Sequence, residues 1–130
     1  MSEFATIHLP KEPTVLAPDG SAVRVLLALG RGSMAHFSLK PGEVSHAVTH
    51  RTVEEIWYVT EGKGELWRKA GVREEIVLLE PGVSVSVPLG THFQFRADKS
   101  QSLGFIGITM PPWPGPDEAM PVGGPWRSGV

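Results

Sequence analysis

A chain of 130 residues has room for one core, and its 41% hydrophobic content is enough to fill it. The net charge of −2 leaves no basic footprint for nucleic acid, and no apolar run approaches the ~20 residues that span a bilayer. Cysteine is absent, which removes disulfides, thiolate catalysis and Cys-type zinc sites; with an early acid and no apolar signal stretch, a cytoplasmic protein is expected.

Gly and Pro recur at short intervals, and between them lie segments rich in Val, Ile, Leu and aromatics. Ala22–Leu29 and Met34–Leu39 come first, followed by a Pro41-Gly42 turn. Ile56–Thr60, Ile76–Leu79, Val83–Val87 and Leu103–Met110 come after it, with turns at Pro81-Gly82 and Pro88-Leu89-Gly90. Pro presets φ for such turns and Gly accepts a positive φ. No stretch holds the helical apolar period over several turns, so long helices are not expected. The pattern predicts an all-β sandwich or barrel built from short strands.

Gly62-Lys63 reads as a two-residue hairpin turn that pairs Val59 with Leu66. Strand alternation then places Glu55, Trp57, Val59, Leu66 and Arg68 on one face, and Ile56, Tyr58 and Trp67 on the other. Both faces carry large apolar groups, so the outer one needs a cover. A second sheet, the tail or another subunit would supply it, and a homodimer is the economical expectation. Residues 1–110 are expected to form the barrel, with 111–130 as an extended Pro-rich tail packed on it. Trp113 and Trp126 would anchor that tail, or the tail would act as a lid over the barrel mouth.

With five His and no Cys, any metal site must use imidazole and carboxylate. His46, Val48 and His50 share a face if that stretch is extended, and Glu55 lies five residues beyond His50. Such a set suits Fe, Mn, Ni, Cu or Zn. The same residues also read as solvent-facing turn histidines, with Glu55 ion-paired to Arg51 or Arg68. His36 reads as a surface residue and His8 as solvated.

The run from Gly42 to Gly62 resembles the first conserved motif of the cupins: Gly, five residues, His-x-His, a few residues, Glu, six residues, Gly. In register, Val48 takes the first His position, His50 the second, Glu55 the Glu and Gly62 the last Gly. Gly82, Pro88 and Gly90 match the second motif, whose His position falls on Phe93 and whose Asn position falls on Ala97, with His92 one residue away. The run from His50 to Tyr58 and the Met-Pro-Pro-Trp-Pro-Gly tail also resemble a subgroup of small single-domain cupins.

This resemblance implies a jelly-roll-type cupin barrel with a Pro/Gly-rich C-terminal tail and a pocket inside the barrel. In the family a metal typically takes three His and one Glu. Here His50 and Glu55 are kept, and His46 and His92 are the candidates to complete the set. Bringing His92 inward would turn Phe93 and Phe95 outward, a costly exchange. Trp57, Arg68 and Phe93 are the candidate lining for a small-molecule ligand, with Arg68 more naturally an ion-pair partner. With a divalent metal, the resemblance implies an oxidoreductase or isomerase acting on a small polar substrate, Glu55 serving as ligand or proton acceptor. Without one, it implies a binding or sensing module for a sugar or organic acid.

Overall fold

The structure, a computed structural model, describes residues 3–130; residues 1 and 2 of the expected barrel segment lie outside the described residues. Among the described residues, eleven strands form two antiparallel sheets. The six-stranded sheet holds, in spatial order, β1 (Val15–Leu16), β2 (Ala22–Leu29), β3 (Gly32–Leu39), β10 (Leu103–Met110), β5 (Glu54–Gly62) and β8 (Ser84–Val87). The five-stranded sheet holds β11 (Ala119–Pro121), β4 (Val48–His50), β9 (His92–Ala97), β6 (Gly64–Ala70) and β7 (Arg73–Leu79). One 3-10 turn, Pro116–Glu118, is the only helical element among the described residues, and none of them is a helix long and apolar enough to cross a membrane.

Alternation decides what enters the core. Along β5, Glu55, Trp57 and Val59 are buried, while Ile56 and Tyr58 between them are exposed. Trp57 stacks on Phe105 of β10 with ring centroids 4.0 Å apart, and meets Phe93 and Phe95 of the opposite sheet edge-on. Fully burying each such ring contributes roughly 1.5–3 kcal/mol, with a further ~0.5–1.5 kcal/mol from a well-oriented aromatic pair. Val59, Leu66, Leu79 and Leu103 close the core at the other end of the barrel.

The expected hairpin at Gly62-Lys63 does not form. β5 and β6 lie in different sheets, and Lys63 marks the crossing between them. Inward residues of both strands still face one core, because Val59 and Leu66 reach it from opposite sheets rather than as cross-strand neighbours. Gly62 has φ 77°, and a Cβ there would run into the carbonyl of Ser102, so both geometry and space require glycine. The tight hairpin falls instead at Gly71-Val72, between Ala70 and Arg73, with Gly71 at φ 61° in the first central position.

The tail is built into the fold as well as laid on it. β11 pairs with β4, and Gly129 forms a bridge with Val44. Buried Gln94 donates to the carbonyls of Ser45 and Trp126 and accepts from the Trp126 amide, while the Trp126 ring lies under the Arg96 guanidinium. Glu118 is the firmest anchor: its carboxylate accepts from the Thr52 amide, the Thr52 hydroxyl and the Val53 amide. Burial pushes its pKa up, but these hydrogen bonds, with nearby His50, outweigh that and hold it below the usual 4.5.

A depressed carboxyl pKa contributes stability that is present above pH 4.5 and lost as pH falls through the folded value. Glu118→Ala should therefore cost roughly 2–3 kcal/mol in urea denaturation at pH 7. The difference from the parent should shrink below pH 4.5, and a pH-independent difference would mean that packing, not the carboxylate, holds the tail.

Candidate functional site

Between the sheets, at the end of the barrel away from Leu79 and Leu103, lies a cavity of about 350 Å³. Its walls are mostly apolar: Val23, Val25, Phe37, Phe93 and Phe105 contribute, with Trp57 at the base. Gly107 keeps one wall thin, since a Cβ there would press on the Phe37 ring. The tail supplies another wall through Pro112 and Trp113, whose ring meets His50 edge-on at 5.3 Å. The Trp113 amide is tied to the hydroxyl of Ser33, which itself bonds Thr109.

His50 and Glu55 face this cavity from opposite sheets, both nearly fully buried. Nδ1 of His50 lies 3.0 Å from Oε2 of Glu55, within ion-pair range but off the line of a hydrogen bond. The other carboxylate oxygen accepts from Trp57 Nε1, at 3.1 Å. The pair is thus fixed on one side by the indole and on the other by Phe93, 5.2 Å from the imidazole.

Asp19, unassigned by motif or spacing, also lines the cavity. The Ser21 amide and hydroxyl both donate to its Oδ1, at 2.9 and 2.6 Å. Burial raises its pKa above the usual 3.8; the Ser21 bonds pull the other way without cancelling it, and Glu55 and His50 add smaller opposing effects. The signal in the sequence is Asp-Gly-Ser, a side-chain turn, which by itself says nothing about a pocket.

The other predicted residues are dispersed. His46 is exposed beside Gly20, and its amide, not its ring, is bound to the Asp19 carbonyl. His92 is half-buried opposite Lys69, because Phe93 and Phe95 take the inward positions of β9. Arg68 stands outside the cavity: its guanidinium bonds the Ser86 carbonyl and Glu75, not Glu55. Arg51 bonds the Asp117 carbonyl. His36, expected at the surface, is buried on the outer face of the six-stranded sheet and paired with Glu61 at 3.0 Å. His8 is exposed.

The donor set does not fit a firmly held metal. His50 and Glu55 converge, but among the described residues no three His, Cys, Asp or Glu side chains come together. Two ligands fall short of the three or four that such sites use.

A carboxyl whose folded pKa is raised costs stability above pH 3.8, the cost being complete once pH passes the folded value. Asn at position 19 preserves the Oδ1 acceptor without the titration. Asp19→Asn should therefore melt at or above the parent temperature at pH 7, with the advantage gone at pH 3. A marked drop at pH 7 would show that Asp19 is held as a stabilising carboxylate.

The cupin domain profile matches residues 35–109. No curated protein matches the chain. Among solved structures, ectoine synthase from P. lautus superposes with a TM-score of 0.71 at 21% identity, covering 98% of this chain and 96% of that one. A cupin protein from Bacteroides fragilis gives 0.67 at 20% identity, with coverage of 85% and 86%. KdgF from Halomonas sp. gives 0.66 at 18%, with coverage of 82% and 94%. At such identities these likenesses speak for the fold alone. The two-sheet jelly roll, the motif residues lining one end of it and the profile over more than half of the chain agree: this protein belongs to the cupin family.

Proposed function

We propose that the barrel interior binds a small, largely apolar molecule and that His50 and Glu55 move a proton on it, as in an isomerase-type enzyme. The observation that carries this reading is the 350 Å³ cavity, mostly apolar, which the His50–Glu55 pair and Asp19 meet alongside the hydroxyls of Ser33 and Thr109. Its volume falls in the range of small-molecule sites, roughly 300–1,000 Å³. With the Glu55 carboxylate 3.0 Å from Nδ1, the other ring nitrogen of His50 is the one left to exchange a proton with a ligand. The apolar walls favour a less polar ligand than the sugar or organic acid that the motif resemblance suggests.

Three measurements on protein purified without chelator or metal-affinity resin test this reading. Elemental analysis should find Fe, Mn, Ni, Cu and Zn well below one equivalent, and adding them should leave the melting temperature unchanged. Alicyclic and aromatic compounds that fit the cavity should raise it. Exchange of their carbon-bound hydrogen for solvent deuterium should fall by roughly 10²–10⁴ in His50→Ala and Glu55→Gln, with binding changed only a few-fold. Near-stoichiometric metal that disappears in His50→Ala would replace this reading with a metal centre. Binding without exchange would make the protein a metal-free binding module.

A second copy of the chain is the cover we propose for the outer lip of the cavity. Val15, Leu16 and Val25 leave half or more of their surface exposed there, and β1 stands at the sheet edge. Sedimentation at micromolar concentration should give a dimer; a species of monomer mass would remove this interface.

A further inference from the structure

We infer that Asp19 is the proton-donating partner of the His50–Glu55 pair, and that the ligand it selects is a small apolar carbonyl compound. This rests on the barrel interior being the ligand site, and goes beyond it by naming the ligand class and a third functional group. Asp19 stands in the loop between β1 and β2, Glu55 on β5 and His50 on β4, so three separate elements bring their polar groups to one apolar cavity. Oδ1 of Asp19 is committed to two Ser21 donors, while Oδ2 makes no hydrogen bond to any described residue.

The chemistry follows from the surroundings. A buried carboxyl in apolar walls favours its neutral form, and burial is the largest influence on Asp19. The charged or titratable groups facing it are Glu55, which reinforces neutrality, His50, which opposes it, and His46 beside Gly20. A neutral carboxyl donates a hydrogen bond from Oδ2, so it suits an acceptor that carries no charge, and a carbonyl oxygen on an apolar frame is that acceptor. A site with one donor acid and one acceptor base can then enolise its ligand. The α-carbon proton passes to His50, the Asp19 proton passes to the carbonyl oxygen, and the C–H electron pair becomes the C=C bond of the enol. Reversal returns both protons, at the original or an allylic carbon, so the net change is exchange or isomerisation and no co-reactant is needed.

The matched probes are trans-2-decalone and its methylene isostere, which differ only in C=O against C=CH2. In a series from pH 4 to pH 8, the parent protein should bind the ketone about tenfold more tightly on the acid side, the yield of one net hydrogen bond. That preference should fade as pH rises through the folded pKa of Asp19, because ionisation removes the donor. Asp19→Ala should bind both compounds equally. Asp19→Asn retains an N–H donor and should keep the ketone preference while exchanging the α-hydrogens of decalone with deuterium at least tenfold more slowly. Equal binding of the two compounds by the parent protein would overturn the role of Asp19 and leave the cavity as a ligand site. Failure of both to bind would overturn the cavity reading together with it. Undiminished exchange in Asp19→Asn would overturn the proton transfer.

Discussion

Glu55 enters the interior by the same alternation that buries Trp57 and Val59. Turning the carboxylate out to water would turn Trp57 out with it, along with the stacking on Phe105 and the edge contacts to Phe93 and Phe95. Losing that burial would cost several kcal/mol, enough to hold an ionisable side chain in an apolar cavity. The Trp57 indole lowers the cost by donating to the carboxylate it carries inward. The site at this end of the barrel exists because the aromatic core leaves β5 no other register.

Two buried acids show how local hydrogen bonding separates structure from chemistry. Glu118 gathers three donors, two of them main-chain amides, and its pKa falls despite burial. Its charge fastens the tail to the start of β5. Asp19 has two donors on one oxygen, and its pKa rises. Such a residue lowers the stability of the folded state near neutrality, a cost that a fold selected for stability alone would shed.

The tail has two duties that follow from one geometry. Pairing of β11 with β4 and the Glu118 clamp fix its middle, while Gln94 and the Arg96–Trp126 contact fix its end. The segment before the clamp is thereby drawn across the cavity, where Pro112 and Trp113 form a wall and Trp113 rests against His50. Anchoring the tail and closing the pocket are therefore coupled. The family fold provides this interior without dictating its chemistry, which depends on the few polar groups that reach the cavity.

Much of the architecture was legible because it is local. Turn residues at Pro41-Gly42, Pro81-Gly82 and Pro88-Leu89-Gly90, and the apolar runs Ala22–Leu29 and Leu103–Met110, report on neighbours in the chain. The motif spacing singled out His50 and Glu55, which both line the cavity, and the aromatic side chains of Phe93 and Phe95 argued for the register of β9 that leaves His92 aside. Partner choice was not local. Two strand-like runs meeting at Gly62-Lys63 look like a hairpin, yet β5 and β6 separate into opposite sheets. Arg68 found Glu75 across β7, and His36 found Glu61. Asp19 lies more than thirty residues before Glu55 on a loop that only the folded barrel brings over the cavity. The sequence by itself determined which side chains alternate and where the chain turns, because these depend on backbone sterics and period. Tertiary structure decided which groups share a cavity and which carboxyl has its pKa raised there, because burial and long-range pairing arise only when the two sheets close on one another.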